Sequence, residues 1–168
     1  MESVNVTEMV SQRRMQAKAD LQSQGMRLPA RPGYDLPRLP LKLSELGDDE
    51  VMQLLVQFTR YQDYISGQLV ADEIDEQAAD HMLEVAKARH LVKGWGGKAM
   101  DTVTVAKASA LLDPDVQQLI DHHATLKAHR KLLAVLSESM ARDAAVVSRE
   151  ITRRTSRDHT ERRADRFS

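Results

Sequence analysis

Five lysines and arginines and the chain's single tryptophan fall in one stretch, Lys87 to Lys107, against one acid, Asp101. Lys87, Arg89, Lys93, Lys98 and Lys107 supply the charge, and Trp95 sits among glycines in Gly94-Trp95-Gly96-Gly97. Cations of this kind meet backbone phosphates. An exposed indole stacks on an unpaired base for about 1–3 kcal/mol. Thr102 and Thr104 add hydroxyl donors suited to phosphate oxygens. The same residues also fit a plainer role, in which Trp95 caps the end of a helical core and the lysines keep an elbow soluble. A second basic strip carries Arg149, Arg153 and Arg154. It reads either as a phosphate contact or as cations complementing the end of a helix dipole.

Other chemistry finds little support. The six histidines are His81, His90, His122, His123, His129 and His159. His122 and His129 are two helical turns apart, too far for the usual metal pair one turn apart, and no carboxylate completes a site. The acids at 72, 73, 75, 76 and 80 lack the loop spacing of a calcium site and read as a solvated face. No phosphate-binding GxxxxGK[ST] string occurs. Gly94-Trp95-Gly96-Gly97 follows no strand and is no dinucleotide fingerprint. The chain is therefore expected to be no enzyme and to hold neither metal nor cofactor.

These residues must be positioned by helices. From Val51 apolar residues recur at Leu54, Leu55, Phe58, Tyr61, Ile65 and Leu69, and more sparsely at Ala79, Leu83 and Ala86. That is helical spacing. The run from 48 to 93 contains no proline and would span roughly 65–70 Å as one helix. Ser44-Glu-Leu-Gly-Asp-Asp-Glu reads as a cap, a turn and a second start at Asp48. Glycines 94, 96 and 97 break the run, a short helix restarts near Thr102, and Asp113-Pro114 opens a last one. Leu126, Arg130, Leu133, Ser137, Met140, Ala144, Val147 and Ile151 then alternate steps of four and three, a heptad seam with two polar members. Leu126, Leu133, Met140, Val147 and Ile151 are its apolar part, expected to seal a homo-oligomer. A thin stripe over 8–24 suggests a further short helix.

The expected fold class is all-α: a long helical hairpin, coiled-coil-like, over 44–155. A flexible arm over 1–43 with a proline-rich linker precedes it, and a disordered arginine-rich tail over 156–168 follows. Four of the five prolines lie between 29 and 40, interleaved with Tyr34, Leu36, Leu39 and Leu41, which suits an arm that lies along a surface. Aromatic residues are only 4% of the chain, which again favours helices over sheets. There is no cysteine, so disulfides, thiol catalysis and cysteine-bound zinc are excluded. No apolar run reaches the ~18–20 residues of a membrane span. The first residues do not read as a signal peptide, so a soluble, intracellular protein without membrane contact is expected.

Net charge is −1, but it is segregated. Residues 44–85 hold one base and eleven acids, net −10, whereas 86–110 hold five bases and one acid, net +4. Such asymmetry points to a charged partner or to contacts between copies.

The order of these parts resembles a known family. One long helix with Phe58, Tyr61 and Tyr64 near its start leads to Lys87-Ala88-Arg89. A glycine break, then Thr104-Val105-Ala106-Lys107-Ala108, then Asp113-Pro114-Asp115-Val116 follow. Over about 48–152 this layout resembles the UvsY-type recombination mediators of tailed bacteriophages. The resemblance implies a ring-forming helical oligomer that binds single-stranded DNA. It further implies help for a RecA-like recombinase in displacing single-strand-binding protein, in the cytoplasm of an infected bacterial cell. Lys87, Arg89 and Lys93 match that family's basic segment. The runner-up function is a helical structural or assembly protein of a phage particle, with the proline-rich arm lacing subunits.

Overall fold

A computed structural model describes residues 6–94 and 103–166. The fold is all-α, as expected. Its elements are α1 (Val6–Ser23), a 3-10 turn (Leu43–Glu45), α2 (Asp48–Gly94), α3 (Val103–Leu112) and α4 (Pro114–Arg166). Among the described residues there is no strand.

Each boundary has a local cause. Helix α1 closes with the Gly25 N–H on Gln22 O at 3.0 Å and the Met26 N–H on Leu21 O at 2.9 Å. This closure needs a left-handed residue, and Gly25 takes it with φ 77°. Helix α2 starts where Glu50 reaches back to accept from the Gly47 N–H at 2.7 Å, half of a capping box. Helix α4 starts at the Asp-Pro step. Asp113 Oδ1 accepts from the Asp115 N–H at 2.9 Å and the Val116 N–H at 3.4 Å, and Pro114 gives up no bond the helix needs.

The chain divides into two compact units. Unit 1 is Met1–Arg27 with Leu69–Leu132, and unit 2 is Leu28–Gln68 with Leu133–Ser168. In both, α2 runs antiparallel to α4. Unit 2 has an apolar core of Val51, Phe58, Tyr61 and Ile65 from α2 with Met140 and Val147 from α4. The proline-rich segment, expected to lie along a surface, is seated on this core. Tyr34 packs edge-on to Tyr61 with ring centroids 5.4 Å apart. The Tyr61 hydroxyl donates to Tyr34 O, and Leu39 and Leu43 pack alongside. Burying these side chains offsets the entropy of ordering the segment, which prolines have already reduced.

Unit 1 is built from smaller side chains. Val10 of α1 meets Ala78 and Ala79 of α2, with Met82 and Leu126 against them. Further along, Leu83 packs with Val116 and Leu119.

The tail departs from expectation. Helix α4 continues through Arg166 instead of ending near Thr155. After Pro114 the chain has neither glycine nor proline, and Arg157–Glu161 and Asp158–Arg162 are opposite charges four residues apart. Such spacing supports a helix without an apolar face.

Candidate nucleic-acid interface

The basic corner lies in unit 1, where α2 ends and α3 and α4 begin. Arg89 and Lys107 are exposed there. Lys87 is half-buried and tied to Glu84 at 2.8 Å on its own helix. That contact holds the Glu84 carboxyl below its ordinary range, first through the hydrogen bond from Lys87 and then through its charge. Lys93 lies on α2, but its side chain, like Trp95 and Lys98, is outside the described residues.

The corner is braced by a joint that the sequence did not announce. His90 Nε2 lies 3.3 Å from Ser109 Oγ, and His90 Nδ1 lies 3.2 Å from Asp113 Oδ2. The order serine–histidine–aspartate invites comparison with a nucleophile and its base. Ser109 sits inside α3, however, where backbone N–H groups are committed to the helix, so they form no cradle for an oxyanion. Asp113 is meanwhile capping α4. The backbone N–H of Asp115 holds its carboxyl below the usual range, with Val116 and His90 adding to the effect. The trio ties the end of α2 to the α3–α4 step.

The second basic strip is in unit 2 and is largely spent within the chain. Arg154 donates to Asp48 at 2.7 Å, to Glu150 at 2.8 Å and to Leu43 O at 3.1 Å. Arg153 grips both oxygens of Glu150 at 2.7 Å. Those two guanidiniums, Arg153 first, hold the Glu150 carboxyl down to about 2. Arg149 is exposed. The structure therefore leaves Arg89, Lys107 and Arg149 facing solvent, spends Arg153 on Glu150 of its own helix, and uses Arg154 to clamp α4 onto the start of α2.

The seam residues are engaged inside the chain. Met140 and Val147 are buried in the unit 2 core, with Leu133 and Ile151 against them. Leu126 packs on the cluster of Val10, Ala78 and Ala79 in unit 1. Their cover is the chain's own helices, where a second protomer was expected.

The acids read as a solvated face include two that are buried. Asp72 and Asp75 are 7% and 5% exposed. His129 Nδ1 bonds to Asp72, and the Arg130 guanidinium donates to Glu76. Arg14 of α1 reaches Asp75 at 2.9 Å. Burial pushes the Asp75 carboxyl above its ordinary value, with neighbouring Asp72 adding to that, against the pull of Arg14, His122 and Lys18. A signal for this was present. Ile65, Asp72, Asp75, Ala79 and Leu83 continue the same helical stripe, so two of the acids sit at core positions. Among the described residues no group of histidine, aspartate and glutamate is placed to hold a metal ion.

Comparison with protein-family models, with curated proteins and with solved structures finds no match to this chain.

Proposed function

We propose that this chain is a non-enzymatic protein that binds single-stranded DNA at the basic corner of unit 1. In the manner of the mediators its layout resembles, it assists the loading of a RecA-like recombinase against single-strand-binding protein. The observation that carries the reading is where the charge is left. Within unit 1, three acids, Asp72, Asp75 and Glu76, are drawn inward and paired, while Glu73, Asp80, Glu84 and Asp121 stay exposed. Arg89 and Lys107 stay exposed at the corner, on either side in sequence of Lys93, Trp95 and Lys98. Exposed cations spaced along a helix end and the segment after it suit a phosphate backbone, and an indole among them suits an unpaired base.

The alternative, an assembly protein of a phage particle, drew on a proline-rich arm free to lace neighbours. That arm's Tyr34 and Leu39 are engaged on its own chain, which weakens the argument for lacing.

The test is binding of a labelled single-stranded oligonucleotide across a salt series. Affinity should fall linearly on logarithmic axes, with a slope of about 0.7 per phosphate contact. The triple change Arg89→Ala, Lys93→Ala, Lys98→Ala should flatten that slope by about 2 while circular dichroism stays helical. An unchanged slope in the triple variant would remove the corner as the site.

A further inference from the structure

The face of α2 and α4 that α1 covers is an acidic groove floored by small residues. Ala78 and Ala79 form the floor, Met82 and Leu126 the walls, and Asp75 stands one turn from the floor alanines. Helix α1 meets it with Val10, Arg14 and Lys18, each four residues from the next and so on one side of the helix. Val10 fills the alanine floor, Arg14 pairs with Asp75 at 2.9 Å, and the Lys18 charge also acts on Asp75.

We propose that this groove is a docking site for a basic helix of a partner protein, and that α1 is its built-in occupant.

Two observations separate a replaceable occupant from a piece of core. First, the hold is thin. Among the described side chains of α1, Val10 alone is buried. Arg14, the other main contact, keeps a third of its side chain in solvent. Ser11, Ala17, Lys18 and Leu21 are only half-buried, and a helix of this length is marginal in water unless packing supports it. Second, α1 satisfies the groove incompletely. Asp75 Oδ1 is buried with no hydrogen-bond partner, and so is His122 Nε2 beside it. A buried carboxylate oxygen left unpaired carries its full desolvation cost. Arg14 engages only Oδ2 of that carboxylate.

An incoming helix with an apolar residue, an arginine one turn on and a second cationic donor for Oδ1 would gain what α1 lacks. It would need that gain, because α1 competes from the same chain at an effective concentration in the millimolar range. The partner class follows from the groove: a helix cationic on the face that carries its small apolar anchor. An acidic or purely apolar helix would leave Asp75 unpaired in a dry site.

The experiment uses the full chain and a fluorescein-labelled peptide of residues 6–23. In the host variant Val10→Asp with Arg14→Glu, α1 is unseated and the groove opened. The peptide is expected to bind this host with an affinity that falls with salt. It should bind at least about tenfold tighter than the same peptide carrying Arg14→Glu, the loss of one charge-assisted pair. Adding Asp75→Lys to the host should abolish the difference between the two peptides. A second measurement needs no variant host. Hydrogen exchange on the wild-type chain, titrated with unlabelled peptide, should show faster exchange in α1 while α2 protection holds. Equal binding of the two peptides, or α1 protection unchanged at millimolar peptide, would overturn the proposal.

Discussion

Units 1 and 2 both draw on α2 and α4, yet they are held by different physics. Unit 2 is sealed by large side chains. Phe58, Val51 and Val147 are fully enclosed, and the seated arm adds Tyr34 and Leu39. Unit 1 keeps an apolar cluster of Leu83, Val116 and Leu119, but beside α1 it is closed by Ala78 and Ala79, which carry little apolar area, and by charges brought in from three helices. Apolar burial contributes about 25 cal/mol per Å², whereas a buried ion pair often does little more than offset its own desolvation. The comparison teaches a division of labour. One unit is closed mainly by large apolar side chains, and the other adds buried titratable pairs for which a proton can compete.

The largest expected effect tests the sealed side. Phe58→Ala empties the centre of unit 2 and should cost about 3–5 kcal/mol, read from a urea midpoint. Hydrogen exchange should place most of that loss in 48–68 and 133–155. In unit 1 the corresponding change is enlargement. Ala79, fully buried under Val10, leaves no room, so Ala79→Leu should cost about 1–3 kcal/mol and loosen α1 first. Losses of equal size spread evenly over the chain would break the comparison.

Acid should act in opposite senses on Glu150 and Asp75, while the depressed Glu84 and Asp113 carboxyls of unit 1 lose their contribution in the same sense as Glu150. Glu150 in unit 2 is held down to about 2 from an ordinary 4.5. A depressed carboxyl stabilises the fold above its unfolded value, and that contribution is lost as pH falls from about 4.5 towards 2. Asp75 in unit 1 is raised above its ordinary 3.8, chiefly by burial. A raised carboxyl disfavours the fold once ionised, so its cost is relieved as pH falls through the raised value. All three tyrosines, Tyr34, Tyr61 and Tyr64, lie in unit 2, so their ring resonances in nuclear magnetic resonance should report that unit weakening in acid. Methyl resonances of Ala78 and Ala79 report unit 1. Asp75→Asn should remove the acid gain there and leave the tyrosine signal unmoved. Low ionic strength is needed, because salt screens the Glu150 pairs.

What could be read from the sequence divides along the same line. The helix bounds in unit 2 followed from capping chemistry, since Ser44-Glu-Leu-Gly-Asp-Asp-Glu states a turn and a restart outright. Asp113-Pro114 did the same for α4. Phe58, Tyr61, Ile65, Met140 and Val147 announced a core by period alone. Period does not name the partner, however, and the seam from Leu126 to Ile151 is covered by the chain's own α2, arm and α1. Unit 1 was harder because its decisive residues are charged. Asp72 and Asp75 continue the α2 stripe, but an acid at a core position is recognisable only once its partner is known. Arg14 is 61 residues away from Asp75 in sequence. The tail failed for a related reason: low hydropathy resembles disorder, while a helix supported by charges four apart has no apolar stripe to show.

The smallest expected effect sharpens the sealed side further. Two phenol hydroxyls fasten the arm to unit 2. Tyr61 donates to Tyr34 O, and Tyr34 donates to Gln57 O at 3.5 Å, a long contact. Tyr61→Phe leaves the Tyr34 carbonyl without that donor while keeping the ring in place, and should cost about 1 kcal/mol. Tyr34→Phe removes only the long bond and should cost less, since its hydroxyl sits at the edge of hydrogen-bond range. If aromatic packing is what seats the arm, both phenylalanine variants keep residues 28–42 protected from exchange. Tyr34→Ala should release them, because it removes the edge-on ring contact with Tyr61 as well. Release by Tyr61→Phe alone would shift the credit from ring packing to the hydrogen bond. Unit 2 would then rest on a polar contact after all, closer in kind to unit 1.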